Sequence, residues 1–291
     1  MHLWRFDWDH RTLALAQAEA RALAVGRLFA PGLYLGELPF EPGRAAFGAG
    51  GGEVIARGAP EDLVLPEPGL RAHVVRGPWK VSGNPVDLLA RIPGAPRIAP
   101  RACGIEVLCA EPEWLVVRAP GAPPAFSAPT LPHRSSTSTS SQLARAVVNL
   151  VARPGQRVLD PLCGTGVLLV EAARLGCVVS GSDRNPRGVV QARANLAALE
   201  LPGEVRIVDA LELAPSGADA LVADLPYGRR LAPAALEPLL WVLPTLAPRW
   251  ALISHLDLSE ALAACGHEAR EVIEVPKTTF VRRVFVGGPP P

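Results

Sequence analysis

Residues 157–166 read Arg157-Val158-Leu159-Asp160-Pro161-Leu162-Cys163-Gly164-Thr165-Gly166, and Val167 to Leu175 continues with apolar residues at helical spacing. An apolar run halted by an aspartate reads as a buried strand, and Pro161 with two glycines forces a tight turn before the helix. A strand, a glycine turn and a helix in succession let the backbone come close to a ligand, and the helix start presents amide groups without partners. A glycine pair alone would suit any tight strand-to-helix turn, so the neighbouring sequence has to decide. Two pyrophosphate signatures are missing. Leu169 stands where the third glycine of G-x-G-x-x-G would be, and no Gly-Lys-Ser/Thr follows.

Outward from this turn the pattern is regular. Strands are expected at Arg157–Asp160, Cys177–Ser182, Val205–Val208, Ala220–Ala223 and Trp250–Ser254, and helices at Val167–Leu175, Arg187–Ala198, Leu236–Leu246 and Leu258–Cys265. Before the turn, Leu143, Val147, Leu150 and Val151 repeat at helical spacing until Pro154-Gly155, with Thr139 as cap and Gln142 three residues on completing a capping box. Glu271–Val275 and Thr279–Val286, around Pro276-Lys277, read as a closing pair of strands. Strands alternating with helices build a parallel sheet covered on both faces, here of the α/β class with an antiparallel edge hairpin. Residues 119–141, APGAPPAFSAPTLPHRSSTSTSS, are dense in Pro, Ser and Thr and form a linker. The expected division is an N-terminal domain at 1–118, this linker at 119–141, and the sheet domain at 142–291. In the N-terminal part Thr12–Leu28 suggests an amphipathic helix and Val116 a strand, giving a small α+β fold.

Acidic residues recur at the ends of the strands. Asp183 follows the glycine turn by about twenty residues, where a carboxylate can accept both hydroxyls of a ribose; a helix cap is the plainer use of the same residue. Asp209 ends the next strand, where it could meet an adenine amino group or merely cap a loop. Asp224-Leu225-Pro226-Tyr227-Gly228 ends the fourth. A carboxylate and backbone carbonyls aimed into a cleft accept hydrogen bonds from an exocyclic amine, proline stiffens the loop, and tyrosine offers a face for a base. Arg229 and Arg230 follow at once and are placed for phosphate, whereas Arg282-Arg283 reads as solvated charge. Cys163 has no histidine near it in sequence and reads as a packed side chain, not a nucleophile.

Composition excludes several classes. The chain has 291 residues, 49% of them hydrophobic and 20% charged, enough for a sizeable core. Its five cysteines form no C-x-x-C pair, which argues against a disulfide framework or a zinc site and for a reducing, cytoplasmic setting. No apolar run is long enough for a membrane span, and no signal peptide is evident. A net charge of +1 gives no bulk indication of nucleic acid.

DPLCGTG, GSDRNP and DLPYG in this order resemble the S-adenosylmethionine-dependent amino-methyltransferases with an Asp/Asn/Ser-Pro-Pro-Tyr/Phe signature. More narrowly, LARAVVNLVARPGQRVLDPLCGTGVLLVEA followed by DLPYGR is similar to the tRNA guanine-N2 methyltransferases that join a THUMP domain to a Rossmann-like class I methyltransferase fold. The resemblance covers about residues 133 to 291, and HLWRFDWDHRTLALAQAEARAL is similar to the segment that precedes the THUMP domain there. Leu225 replaces the first proline of the signature, and Leu162 stands where the family has phenylalanine.

The resemblance implies S-adenosyl-L-methionine as cofactor and RNA, in particular tRNA, as partner. It implies a seven-stranded, mostly parallel sheet; from the cysteine pattern no metal is expected. It places Asp160, Cys163, Gly164 and Gly166 around the methionine part of the cofactor, Asp183 at the ribose, and Asp209 with Ala210 at the adenine. Thr137 and Thr139 belong to a stretch, His133–Thr139, that closes over the cofactor in relatives. Asp224 would take a hydrogen bond or proton from the target amine, helped by the Leu225 and Pro226 carbonyls, with Tyr227 stacking on the base. Adenine N6 in RNA or DNA, or an amine of a protein or small molecule, is the alternative target, and a non-catalytic nucleoside- or RNA-binding module is a third reading.

Overall fold

Pro161 has no amide to donate, and Gly164 and Gly166 adopt left-handed backbone with φ of 50° and 79°, so the strand beginning at Arg157 stops at Asp160. At Gly166 the requirement is also steric: an added Cβ would stand 2.9 Å from the Cβ of Ala192. The glycine turn is thus clamped between the strand it leaves and a helix twenty-odd residues further on.

The computed structural model describes the chain apart from residues 7–10, 24–25, 38, 40, 42–43, 66–70, 76–84, 95–96, 99–103, 111–112, 119–125, 135–138, 216, 227–232 and 278–279. In order the elements are β1 (His2–Phe6), α1 (Leu13–Ala22), β2 (Arg27–Ala30), β3 (Leu33–Gly36), β4 (Gly48–Gly58), β5 (Arg71–Val75), α2 (Pro85–Ala90), β6 (Arg97–Ile98), β7 (Ile105–Cys109) and β8 (Trp114–Arg118). There follow α3 (Ser141–Val151), β9 (Arg157–Asp160), α4 (Val167–Arg174), β10 (Val178–Asp183), α5 (Pro186–Ala198), β11 (Glu204–Ile207) and β12 (Ala220–Asp224). The chain closes with α6 (Glu237–Val242), β13 (Trp250–Ser254), α7 (Ser259–Ala264), β14 (Ala269–Pro276) and β15 (Val281–Gly287).

These elements form two compact units, one of Met1–Asp9 with Ala24–Ser127 and one of His10–Leu23 with Ala128–Pro291. The first is built on an eight-stranded sheet in the order β2-β3-β1-β4-β8-β7-β5-β6. Its pairings are antiparallel except those of β5 with β6 and β7. Alternation sends Val107 and Val116 into a core with Leu63, Leu89 and Ile92, while Leu108, Leu115 and Val117 join Leu3 and Leu33 on the other face.

The second unit carries a seven-stranded sheet ordered β11-β10-β9-β12-β13-β15-β14. β9 to β13 pair in parallel, and β15 runs antiparallel to both β13 and β14. The strand order reverses between β9 and β12, and a crevice opens at the carboxyl ends of strands on either side of such a switch point. Asp160 and Asp224 occupy those two ends.

Three expected elements differ from those observed. The helix expected at Thr12–Leu28 ends at Ala22. Gly26 then takes a φ of 101°, with an added Cβ 1.9 Å from the Leu35 carbonyl oxygen, and Arg27–Ala30 pairs with β3. The helix expected at Leu236–Leu246 is only α6, flanked by 3-10 turns at Pro233–Leu236 and Leu243–Thr245, because Pro244 cannot supply a helical amide. The cap of α3 is Ser140, whose Oγ accepts from the Leu143 amide at 3.3 Å, and not Thr139 with Gln142. Thr139 has other partners.

Candidate active site

At the switch point a cleft of about 370 Å³ is lined by Thr139, Asp160, Cys163, Gly164 and the Asp224-Leu225-Pro226 loop. Each wall has a local cause. On the β9 side, Asp160 is 1% exposed, and its Oδ1 accepts from the Leu162 amide at 3.1 Å. Burial pushes its carboxyl well above the usual carboxylate range, the Leu162 hydrogen bond pulls it back, and the charges of Asp224 and Asp183 raise it further. The Cys163 amide donates to the Ser182 carbonyl at 2.9 Å, tying the turn to β10. Burial, then Asp160 and Asp183, push the Cys163 thiol far up, so it is held as a neutral, packed side chain without nucleophilic character.

Gly164 forms the open part of the cradle. Its amide donates to Asp183 Oδ2 at 2.8 Å, and no atom lies within 4 Å of where a Cβ would stand. The other oxygen of Asp183 accepts from the Asn185 amide at 2.9 Å, and Asn185 Oδ1 in turn caps α5. A carboxylate has about four acceptor positions, so these two bonds leave Asp183 with capacity for hydroxyl groups.

The β12 side is held from three directions. The Leu225 amide donates to the Ile253 carbonyl at 2.9 Å, a bond a proline could not make, and the Leu225 side chain is fully buried in the core with Leu252 and Leu258. That accounts for leucine at the first signature proline. Thr139 Oγ1 donates to Asp224 Oδ2 at 2.6 Å, and Arg282 Nη1 donates to Thr139 Oγ1 at 3.0 Å.

Of the residues expected in the site, Thr139, Asp160, Cys163, Gly164, Asp224, Leu225 and Pro226 come together on this cleft. Gly166 lies behind it against Ala192, and Asp183 supports it through Gly164. Asp209 and Ala210 do not line it: Asp209 Oδ1 accepts from the Leu211 amide at 3.0 Å and caps the 3-10 turn Ala210–Glu212. Thr137, Tyr227, Arg229 and Arg230 lie outside the described residues.

Two buried residues escaped the sequence reading. Asn195, fully buried in α5, accepts from the His133 amide at 2.9 Å and donates to the carbonyls of His133 and Thr165 at 2.7 and 2.8 Å. It thereby latches the segment before α3 to the glycine turn; an amide amid Ala192, Ala194 and Leu196 was its only signal. Arg282 shares the alternation of the buried Val284 and Val286, so it points inward and is not solvated charge.

The cleft thus offers carboxylates, an exposed stretch of glycine backbone and a carboxylate-bearing loop opposite. It suits a ligand with positive charge and hydroxyl groups that must pack close to a main chain. Among the described residues no group of three His, Cys, Asp or Glu is placed to hold a metal ion.

A switch-point cleft on a seven-stranded sheet with β15 reversed inside it is the class I, Rossmann-like methyltransferase fold. Residues 132–239 match the family described as UPF0020: RMKL-like, methyltransferase domain. The tRNA (guanine(10)-N2)-dimethyltransferase of Methanothermobacter thermautotrophicus is 44% identical over 94 residues, 31% of this chain and 28% of that protein. The mouse tRNA (guanine(6)-N(2))-methyltransferase THUMP3 is 26% identical over 169 residues, 48% of this chain and 34% of that protein. The chain therefore aligns with about a third or less of each of these relatives' length. The crystal structure of TrmN from Thermus thermophilus aligns over 98% of both chains with a TM-score of 0.51 at 21% identity, a likeness of fold.

Proposed function

We propose that this protein transfers a methyl group from S-adenosylmethionine to the exocyclic N2 of a guanosine in tRNA. The carrying observation is that Asp224, gripped by Thr139, lines the same cleft as the glycine turn. Support for the target comes from the tRNA guanine-N2 methyltransferases among the similar proteins.

The bound donor supplies an electrophilic methyl group on a positively charged sulfur. The chain's residues bind, align and take up a proton. Asp160 and Gly164 cradle the methionine part, where positive charge relieves the repulsion among Asp160, Asp183 and Asp224. Asp183 holds the ribose; Asp209 with Ala210 would need to approach to serve the adenine. Asp224 Oδ and the Leu225 and Pro226 carbonyls accept from the target amine, localising a lone pair otherwise spread into the base, and Asp224 accepts the proton lost when nitrogen gains carbon. Tyr227 stacks on the unpaired base, Thr137 closes over the donor, and Arg229 with Arg230 meets phosphate.

The test is incubation of the full chain with radiolabelled S-adenosylmethionine and unmodified tRNA transcripts, followed by nucleoside analysis. N2-methylguanosine is expected, and its loss by about a hundred- to ten-thousand-fold in rate for Asp224→Asn, with S-adenosylhomocysteine affinity kept. N6-methyladenosine instead would move the reading to the other base, and wild-type rates for Asp224→Asn would remove Asp224 from the chemistry.

A further inference from the structure

Arg282 and Arg283 are neighbours in sequence with opposite fates. Arg283 reaches outward to Glu274 at 3.0 Å, whereas Arg282 is 8% exposed and gives a hydrogen bond to Thr139. Guanidinium can only donate, so the Thr139 hydroxyl must be the acceptor in that bond. A hydroxyl has a single proton, and at Thr139 it points to Asp224 Oδ2 at 2.6 Å. The relay therefore has one direction, from guanidinium through hydroxyl to carboxylate, and it commits Asp224 Oδ2 as an acceptor. Thr139 is itself 3% exposed. Asp224 also sits close enough to Asp160 for its charge to raise that group.

We propose that Arg282 is a positioning residue for methyl transfer, acting through Thr139 to hold Asp224 as a correctly turned acceptor. This rests on the reading of Asp224 as the amine's partner. A guanidinium buried beside this hydroxyl is placed for the task.

The experiment compares Arg282→Met, Arg282→Lys, Thr139→Val, Asp224→Asn and the Arg282→Met/Asp224→Asn pair in the full chain. Kinetics use unmodified tRNA transcripts with S-adenosylmethionine, and calorimetry uses S-adenosylhomocysteine. Arg282→Met is expected to lower kcat by about ten- to a hundred-fold, with KM for the donor and S-adenosylhomocysteine affinity within about threefold, and Arg282→Lys to regain part of the loss. In the Asp224→Asn background Arg282→Met should cost almost nothing more, because the two act as one unit. A turnover-independent readout is the Thr139 hydroxyl proton, a low-field resonance in the wild type and Arg282→Lys that is lost in Arg282→Met and Asp224→Asn. Should Arg282→Met fail to fold, Thr139→Val breaks the same relay and must show the same kcat loss and the same absence of additivity. Unchanged kcat in either variant while Asp224→Asn is inactive overturns the role of Arg282 alone, as does an unchanged hydroxyl resonance in Arg282→Met. Wild-type kcat in Asp224→Asn overturns the underlying reading as well.

Discussion

A carboxylate as deeply buried as Asp160 is costly in an empty cleft and useful in a filled one. Its proton is held to higher pH in the folded chain than in the unfolded chain, where aspartate titrates near ~3.9. The folded state then binds more protons between the two values, so stability falls as pH rises through that window. Asp160→Asn removes the charge and keeps an oxygen for the Leu162 amide. It is expected to raise the melting temperature of the protein without added nucleoside more at pH 8 than at pH 5. A gain of ~1 kcal/mol corresponds to about 2–4 °C for a unit of this size. The same variant should bind S-adenosylmethionine more weakly by calorimetry, the trade between stability and function common at such sites. An identical melting shift at both pH values would show that Asp160 carries no displaced titration.

Among the elements, α5 holds more than its sequence suggests. Asn195→Leu withdraws the partner of the His133 amide and carbonyl, and should lower stability by about 1–3 kcal/mol while speeding hydrogen exchange at His133. Unchanged exchange there would mean that the latch is not what holds the segment. Asn195 and Arg282 were illegible for one physical reason: their partners lie 30 to 143 residues away, and no local periodicity encodes such a pairing. The strand-end aspartates were legible because parallel strands all end at one edge of the sheet, so an acidic residue closing each strand must fall near the others. Asp209 shows where that logic stops, since two further residues past β11 were enough to turn it into a cap. Helix periodicity similarly overran Gly26 and Pro244, where backbone geometry outweighed side-chain pattern. Thr139 and Ser140 compete for one cap, and the hydroxyl not needed there became part of the cleft.

On the scale of the whole molecule, the division at 118/119 suggested by composition leaves out a piece that packs with the second unit. The chain enters that unit at His10, leaves after Leu23 and returns at Ala128. Glu19 on α1, fully buried, accepts from Asn149 Nδ2 at 2.7 Å, and Asn149 is itself buried. A fragment starting at Ala119 lacks this helix along with the burial of Leu15 and Leu23. It is expected to melt about 10 °C or more below the full chain, as judged by calorimetric scans. A fragment that melts with the full chain would show α1 to be dispensable. The separation of Glu19 from Asn149 in the chain also has a meaning in time. At about 5–20 residues per second of synthesis, the 130 residues between them take roughly 6–26 seconds to emerge. Ten residues are too few to hold a helix in water alone. On the ribosome the first helix of the chain thus waits, unformed and apolar, for a dock not yet made, and during those seconds a chaperone or a neighbouring nascent chain can engage it first.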